Sequence, residues 1–156
     1  MLDLSFLNTH INELHNQIDT NDVYIDEPGH GLEKEVHITV KYGIHEQQPY
    51  NFIPKIKLNP VKFTLTGLSL FENEKFDVLK FDVKSKDLHT LNKYICDNFE
   101  CTDSYPKYHP HCTVGYLKPG TGKKYIKMKC DIIGKEMESS RFIFSNAMSD
   151  KVFLNV

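Results

Sequence analysis

The stretch His111-Cys112-Thr113-Val114-Gly115-Tyr116-Leu117 alternates in the manner of a half-buried strand. Successive strand side chains point to opposite faces. His111, Thr113 and Gly115 therefore share one face, and Cys112, Val114 and Tyr116 share the other. The same word stands 74 positions earlier (111 − 37) as His37-Ile38-Thr39-Val40, inside a run from Val36 to Ile44. There His37, Thr39 and Lys41 fall on one face and Ile38, Val40 and Tyr42 on the other. Two such strands side by side would bury their apolar faces in a core and turn two imidazoles and two hydroxyls outward. Their uncharged apolar faces make both of them central strands. The matched Tyr42 and Tyr116 read as core residues, and Gly115 reads as open space on the polar face.

Outward from these words the chain punctuates clearly. Leu4, Leu7, Ile11, Leu14 and Ile18 repeat at helical spacing, with Asp3 or Ser5 available as N-cap. Residues 20–35 are polar and carry Pro28, Gly29 and Gly31, a loop leading to the first histidine strand. Residues 45–60, with Pro49, Pro54 and Pro60, read as an extended connection. Val61, Phe63 and Leu65 make a strand whose apolar phase shifts after Gly67 to Leu68 and Leu70, the mark of a bulge. A polar turn at 72–75 leads to a strand of Leu79, Phe81 and Val83. Leu88, Leu91, Ile95 and Phe99 then outline a second amphipathic helix opening after Ser85. A loop from Cys101 to Pro110 precedes the second histidine strand. Pro119-Gly120-Thr121-Gly122 turns into a strand-like Tyr125 to Met128, and two last strands fall at 141–145 and 151–154. Helix, polar loop and His-x-Thr strand thus occur twice in the same order. The expected fold is α+β, one domain over 1–156 built as two pseudo-symmetric lobes. Antiparallel or mixed sheets would form a central cleft, with helices on the outside.

The chain has 156 residues, 40% hydrophobic and 12% aromatic, enough for a folded core. Its formal charge of −2 lacks the basic balance of a protein that binds long nucleic acid, while leaving room for a small phosphate ligand in a local pocket. Arg141 is the only arginine and a candidate for phosphate or carboxylate contact. Cys96, Cys101, Cys112 and Cys130 form no CxxC pair, and Cys112 lies on a core face, which reads as reduced thiols in a cytoplasmic protein. No basic leader precedes an apolar run and no stretch of about 18 apolar residues occurs, so neither a signal peptide nor a membrane span is expected. No obligate protein partner is evident.

Two imidazoles and two hydroxyls on one face suit acid–base chemistry on a phosphodiester. Free imidazole titrates near ~6.5, so at neutral pH one histidine can accept a proton while its partner donates one. The hydroxyls of Thr39 and Thr113 would donate to the non-bridging oxygens, where charge collects as phosphorus becomes five-coordinate. His37, Thr39, His111 and Thr113 are therefore the candidate catalytic residues. There is no HxxxH, DxD or P-loop word, and no cofactor or metal is expected. His109-Pro110-His111 has the look of a metal pair, but Pro110 interrupts the alternation needed to bring both rings to one face. For substrate contact the candidates are Tyr105 and Tyr108 in the loop before the second word, Phe71 at a strand end, and Lys41 on the face of His37. Glu136 and Glu138 are candidates for a purine edge, Glu138 the stronger. The chain has no tryptophan, so any stacking falls to Tyr or Phe. His10, His15, His30, His45 and His89 call for no special role.

These words resemble the two-histidine (2H) phosphoesterases, which carry two His-x-Thr/Ser-x motifs on a bilobal fold. The wider stretches His37-Ile-Thr-Val-Lys-Tyr-Gly-Ile44 and Pro110-His-Cys-Thr-Val-Gly-Tyr-Leu-Lys-Pro-Gly-Thr-Gly-Lys-Lys-Tyr125, with the lead-in Asp22-Val-Tyr-Ile-Asp-x-x-Gly29, look most like one branch of that superfamily. It is the bacteriophage anti-CBASS phosphodiesterases, which destroy cyclic oligonucleotide signals of bacterial immunity. The resemblance implies metal-independent cleavage of 3′–5′ bonds in cyclic di- and trinucleotides in the host bacterial cytoplasm. The ribose 2′-hydroxyl would be the internal nucleophile, with His37 and His111 the acid–base pair and Thr39 and Thr113 the phosphate donors. Two alternatives stand beside it: a 2H enzyme acting on linear RNA 2′,3′-cyclic phosphate ends, and a protein that sequesters nucleotide signals without cutting. A zinc hydrolase is a further reading.

Overall fold

Both histidine words lie on neighbouring strands in the middle of one eight-stranded sheet. The computed structural model describes residues 1–156. In chain order the elements are β1 (Leu2–Asp3), α1 (Asn8–His15), β2 (His37–Ile38), α2 (Pro49–Phe52), β3 (Val61–Glu72), β4 (Asp77–Lys84), α3 (Lys86–Asn98), β5 (His111–Leu117), β6 (Glu136–Ser139), β7 (Arg141–Ser145) and β8 (Lys151–Asn155). The sheet runs β6-β3-β4-β5-β2-β1-β7-β8, and every pairing is antiparallel. The fold is α+β, as the patterning indicates. No helix is long and apolar enough to cross a membrane.

One face of the sheet is the core. Ile38, Phe63, Leu65, Leu79, Phe81, Cys112 and Val114 are almost wholly buried there, together with Ile11 and Leu14 of α1 and Leu88 and Ile95 of α3. Each large apolar side chain so buried contributes roughly 1.5–3 kcal/mol. That is why the helices lie against this face and the polar residues between are driven to the other. Ser85 caps α3 by accepting from Leu88 N–H at 3.0 Å, as its position before the helical repeat indicates. The bulge at Gly67 is also present: the β3–β4 register slips between Leu65 and Gly67. The turn between these strands is fixed by Asn73, whose side-chain oxygen accepts from Lys75 N–H and Phe76 N–H.

Other expectations give way to specific contacts. The first histidine strand spans two residues instead of Val36 to Ile44, because its later carbonyls are taken up elsewhere. Thr39 O accepts Tyr108 OH, Val40 O accepts Asn92 Nδ2 from α3, and Gly43 O accepts Thr102 N–H. Gly43 has φ +77°, and a Cβ there would lie 2.4 Å from Thr102 O. Tyr42, beyond the turn-off, is 78% exposed and is not a core residue. The first helix is shorter than its apolar repeat. It opens through a 3-10 turn at Ser5–Leu7, and Asp3 lies in a strand, where its carboxylate accepts from Ser5 N–H at 2.8 Å. Tyr125 ends a 3-10 turn, Gly122–Tyr125, instead of starting a strand, with its hydroxyl tied to Asp22 at 2.5 Å. α2, β1 and β6 were not legible as elements at all.

Candidate active site

β2 and β5 meet at one pair: Ile38 stands opposite Cys112. In an antiparallel ladder the flanking pairs follow, so His37 lies across from Thr113 and Thr39 across from His111. All four point away from the core face that Ile38 and Cys112 occupy. Directly opposed Cβ atoms are about 4.5–5.5 Å apart and diagonal ones about 7–8 Å. Each histidine therefore has the other motif's threonine beside it, and the two histidines stand on a diagonal of the ladder.

The rings are oriented alike. His37 Nδ1 meets Glu35 O at 2.5 Å and His111 Nδ1 meets His109 O at 2.9 Å. A carbonyl only accepts, so each Nδ1 carries the proton and each Nε2 is left to face the sheet's polar surface. His111 has its pKa below the ordinary value. Burial is the main cause; the Lys80 ammonium and His37 add to it, while the His109 carbonyl and the Asp82 carboxylate oppose it.

The register extends the site beyond the two words. Asp3 on β1 stands opposite His37 and pairs with the lone arginine, Arg141 Nε, at 3.1 Å. Asp82 on β4 stands opposite His111. Lys80 on the same strand stands opposite Thr113 on one side and Ser69 on the other. Lys80 is buried, and its Nζ donates to Ser69 Oγ and Asp82 Oδ1, each at 2.6 Å. Nζ also lies 4.2 Å from the centroid of Phe71, whose ring meets His111 edge-on at 5.2 Å. Burial raises the Asp82 pKa, but hydrogen bonds from Lys80 and Ser69 outweigh it and hold the carboxyl below its usual range. One continuous row thus crosses six strands: Arg141, Asp3, His37, Thr113, Lys80, Ser69.

Searched against protein-family models and against curated proteins, the chain matches none. The site has to be read from its own geometry.

Of the residues singled out for substrate contact, Phe71 is brought to the histidines and is 44% exposed. The others are elsewhere. Lys41 shares a face with His37 only if the strand continues; after the turn-off its ammonium pairs with Asp103 and lies near Cys96. Tyr108 packs against His89 of α3 and donates its hydroxyl to Thr39 O at 2.9 Å, while Tyr105 is 80% exposed. Glu138, with Glu136, lies on the edge strand β6, three strand spacings or about 14 Å from β5. Gly115 faces no open space: a Cβ there would come within 2.9 Å of Leu32 Cδ2 and 3.4 Å of Gly31 O, because residues 22–33 run alongside β5. His15 does have a part. Its Nε2 donates to the carbonyl of Val114 at 2.8 Å, where the β4–β5 register slips next to Thr113.

Sequence reasoning missed Lys80, Asp82, Asp3 and Ser69. The available signal was Lys80 itself, a lysine inside Val78-Leu79-Lys80-Phe81, a run too apolar for an edge strand. No cluster of three or more His, Cys, Asp or Glu side chains is placed to hold a metal ion, so His109 and His111 have no third partner. A cavity of about 470 Å³, lined by Phe52, Leu91, Ile95, Phe142 and Phe144, adjoins this site at Thr39. Thr39 and Lys41 border it, but neither histidine does.

Proposed function

We propose that this protein is a phosphodiesterase of the two-histidine type. It opens 3′–5′ bonds of cyclic di- and trinucleotides on a pseudo-symmetric, two-lobed fold, with the adjoining ribose 2′-hydroxyl as nucleophile. The observation that carries this reading is the pairing of Ile38 with Cys112, which puts both His-x-Thr words on one polar face with each histidine beside the other's threonine. The resemblance of those words to the 2H phosphoesterases, and within them to phage enzymes that destroy immune signals, gives the reading its substrate class.

In the reaction one Nε2 takes the proton from the 2′-hydroxyl as its oxygen bonds to phosphorus. The other Nε2–H delivers a proton to the departing 5′-oxygen as the P–O5′ bond breaks. The ring opens to a chain with a 2′,3′-cyclic phosphate and a 5′-hydroxyl, and water adds in a reverse of the same proton movements to leave a 3′-phosphate. Thr39 and Thr113 donate to the non-bridging oxygens as their charge grows. Each positioned proton transfer is worth on the order of 10²–10⁴ in rate. The scheme calls on no metal.

The test is incubation of the purified protein, with EDTA present, with cyclic tri-adenylate and with 3′,3′-cyclic GMP-AMP, the products being read by mass spectrometry. Linear products from wild type and none from His37→Ala or His111→Ala are expected. Intact rings throughout would overturn the reading. An RNA oligomer ending in a 2′,3′-cyclic phosphate, run in parallel, separates the RNA-end alternative, and recovery of ring bound but uncut would indicate sequestration.

A further inference from the structure

The two histidines look equivalent in sequence, yet their neighbours are not. His37 faces Asp3, whose charge is met by Arg141. The groups facing His111 are Asp82 directly across on β4, Lys80 on the diagonal beside it, Phe71 edge-on from β3, and Thr39 and His37 on β2. Lys80 is the strongest of these because it is immobile. Its side chain is 6% exposed, and the three N–H donors of an ammonium are matched by Ser69 Oγ, Asp82 Oδ1 and the face of Phe71. A lysine so tied does not swing out to hold substrate. It acts through its field on the ring nearby.

We propose that Lys80 is a positioning residue that divides the labour between the two histidines: its buried charge beside His111 keeps that imidazole neutral, making His111 the proton acceptor and His37 the proton donor. This rests on the phosphodiesterase reading and deepens it. His111 Nε2 then removes the 2′-hydroxyl proton while the O2′–P bond forms, and His37 Nε2–H protonates O5′ while P–O5′ breaks. With the cyclic phosphate still bound, water gives a proton to His37 as its oxygen bonds to phosphorus, and His111 returns its proton to O2′ as P–O2′ breaks, which restores both protonation states. Burial first, with Lys80 adding to it, displaces His111 in the direction this assignment needs. Ser69 and Asp82 serve by fixing Lys80, and Asp82 alone would work against it.

The experiment is the pH profile of kcat/KM for ring opening in wild type, Lys80→Met, Lys80→Arg and Asp82→Asn. The acidic limb reports the group that must be neutral, the alkaline limb the group that must be protonated. Lys80→Met removes the repulsion and leaves Asp82 unopposed, so the acidic limb moves up, by on the order of one pH unit. Lys80→Arg restores it toward wild type. Asp82→Asn moves it down. Side-chain NMR titration of His111 in each variant follows the same order without reference to turnover.

A second measurement fixes the roles independently. A substrate with sulfur in place of the bridging 5′-oxygen has a leaving group that needs no proton. His37→Ala regains activity on it and His111→Ala does not. An acidic limb unmoved in Lys80→Met, movement of the alkaline limb instead, or recovery of His111→Ala on the sulfur substrate overturns the assignment while leaving the phosphodiesterase reading intact. A wild type that cleaves no ring sinks both.

Discussion

Ile38 and Cys112 are both 0% exposed and stand directly opposite one another where β2 meets β5. That pair of core residues dictates which polar residues meet on the far face, since a one-residue slip would turn the histidines into the core. The four polar neighbours should therefore be separable from the fold. His37→Ala and His111→Ala are each expected to lower kcat/KM for ring opening by about 10²–10⁴. The shape-preserving Thr39→Val and Thr113→Val should lower it by about 10²–10³. The double histidine variant should be little worse than either single one, because the two groups act as a unit. Thermal unfolding of all five, run alongside the kinetics, should show midpoints close to wild type; a collapse of the fold would mean that these side chains are structural.

The displacement of His111 has a consequence for stability. Its folded pKa lies below the ordinary 6.5 because of burial first, then Lys80 and His37. Between the folded and unfolded values the unfolded chain binds more protons, so stability rises with pH across that window. The contribution is complete above about 6.5 and is lost as the pH falls through the folded value. Urea midpoints at closely spaced pH values from 4.5 to 8 should show this rise in wild type and a flatter curve in His111→Gln. Equal slopes in the two proteins would show that His111 is not the group responsible.

Arg141 is spent on structure. Its guanidinium reaches the carboxylate of Asp3, which is buried and flanks His37. Arg141→Met leaves that carboxylate with Ser5 as its remaining hydrogen-bond partner, through N–H and Oγ. Loss of a hydrogen bond to a charged group costs about 1.5–3 kcal/mol, and urea unfolding at pH 7 measures it. In an Asp3→Asn background the same substitution should cost less, since the charge it served is gone; an undiminished loss would point to packing by the arginine stem.

Tyr108 distinguishes two ideas by a single atom. As a stacking platform it would tolerate loss of its hydroxyl. In the structure that hydroxyl donates to Thr39 O at 2.9 Å, at the point where the chain leaves β2. Tyr108→Phe should cost about 1–2 kcal/mol in unfolding free energy and lower kcat more than it raises KM, through displacement of Thr39. The exposed Tyr105→Ala should do neither. A higher KM with unchanged stability in Tyr108→Phe would reinstate the platform.

The two histidine strands, the Ser85 cap and the Gly67 bulge were legible because each is a local rule: alternation, a hydroxyl before a helical repeat, a phase shift at glycine. β1 was not, since two residues have no period, and Asp3 resembles a helix cap until Ile38 and Phe142 are seen on either side of Leu2. Lys80 was passed over for a different reason. A lysine on the polar face of an alternating strand is ordinarily solvated, and only the packing of Ser69, Phe71 and Asp82 around it makes it buried. Tyr125 to Met128 shows the opposite failure. Its alternation is real, but the hydroxyl of Tyr125 is captured by Asp22, and Gly122 N–H donates to the buried Asp77, which closes the segment into a turn.

Cys112 offers a probe of the β2–β5 junction that needs no substrate. Its thiol is buried among core side chains, and burial first, with Glu33 adding to it, pushes its pKa up to about 12. The thiolate is the form that reacts, so at pH 8 the native protein should present almost none at this position. Cys96 is exposed on α3 and open to the reagent. Brief alkylation with iodoacetamide at pH 8, followed by peptide mass spectrometry, should label Cys96 and leave Cys112 free. In guanidinium both should label fully. The rate of Cys112 labelling in native buffer then reports how often the junction opens, and Ile38→Ala, which removes the opposing side chain at a cost of about 2–5 kcal/mol, should accelerate it sharply. Rapid labelling of Cys112 in the wild type would mean that Ile38 and Cys112 do not close the core as described, and with it the alignment of His37 with Thr113 would fall.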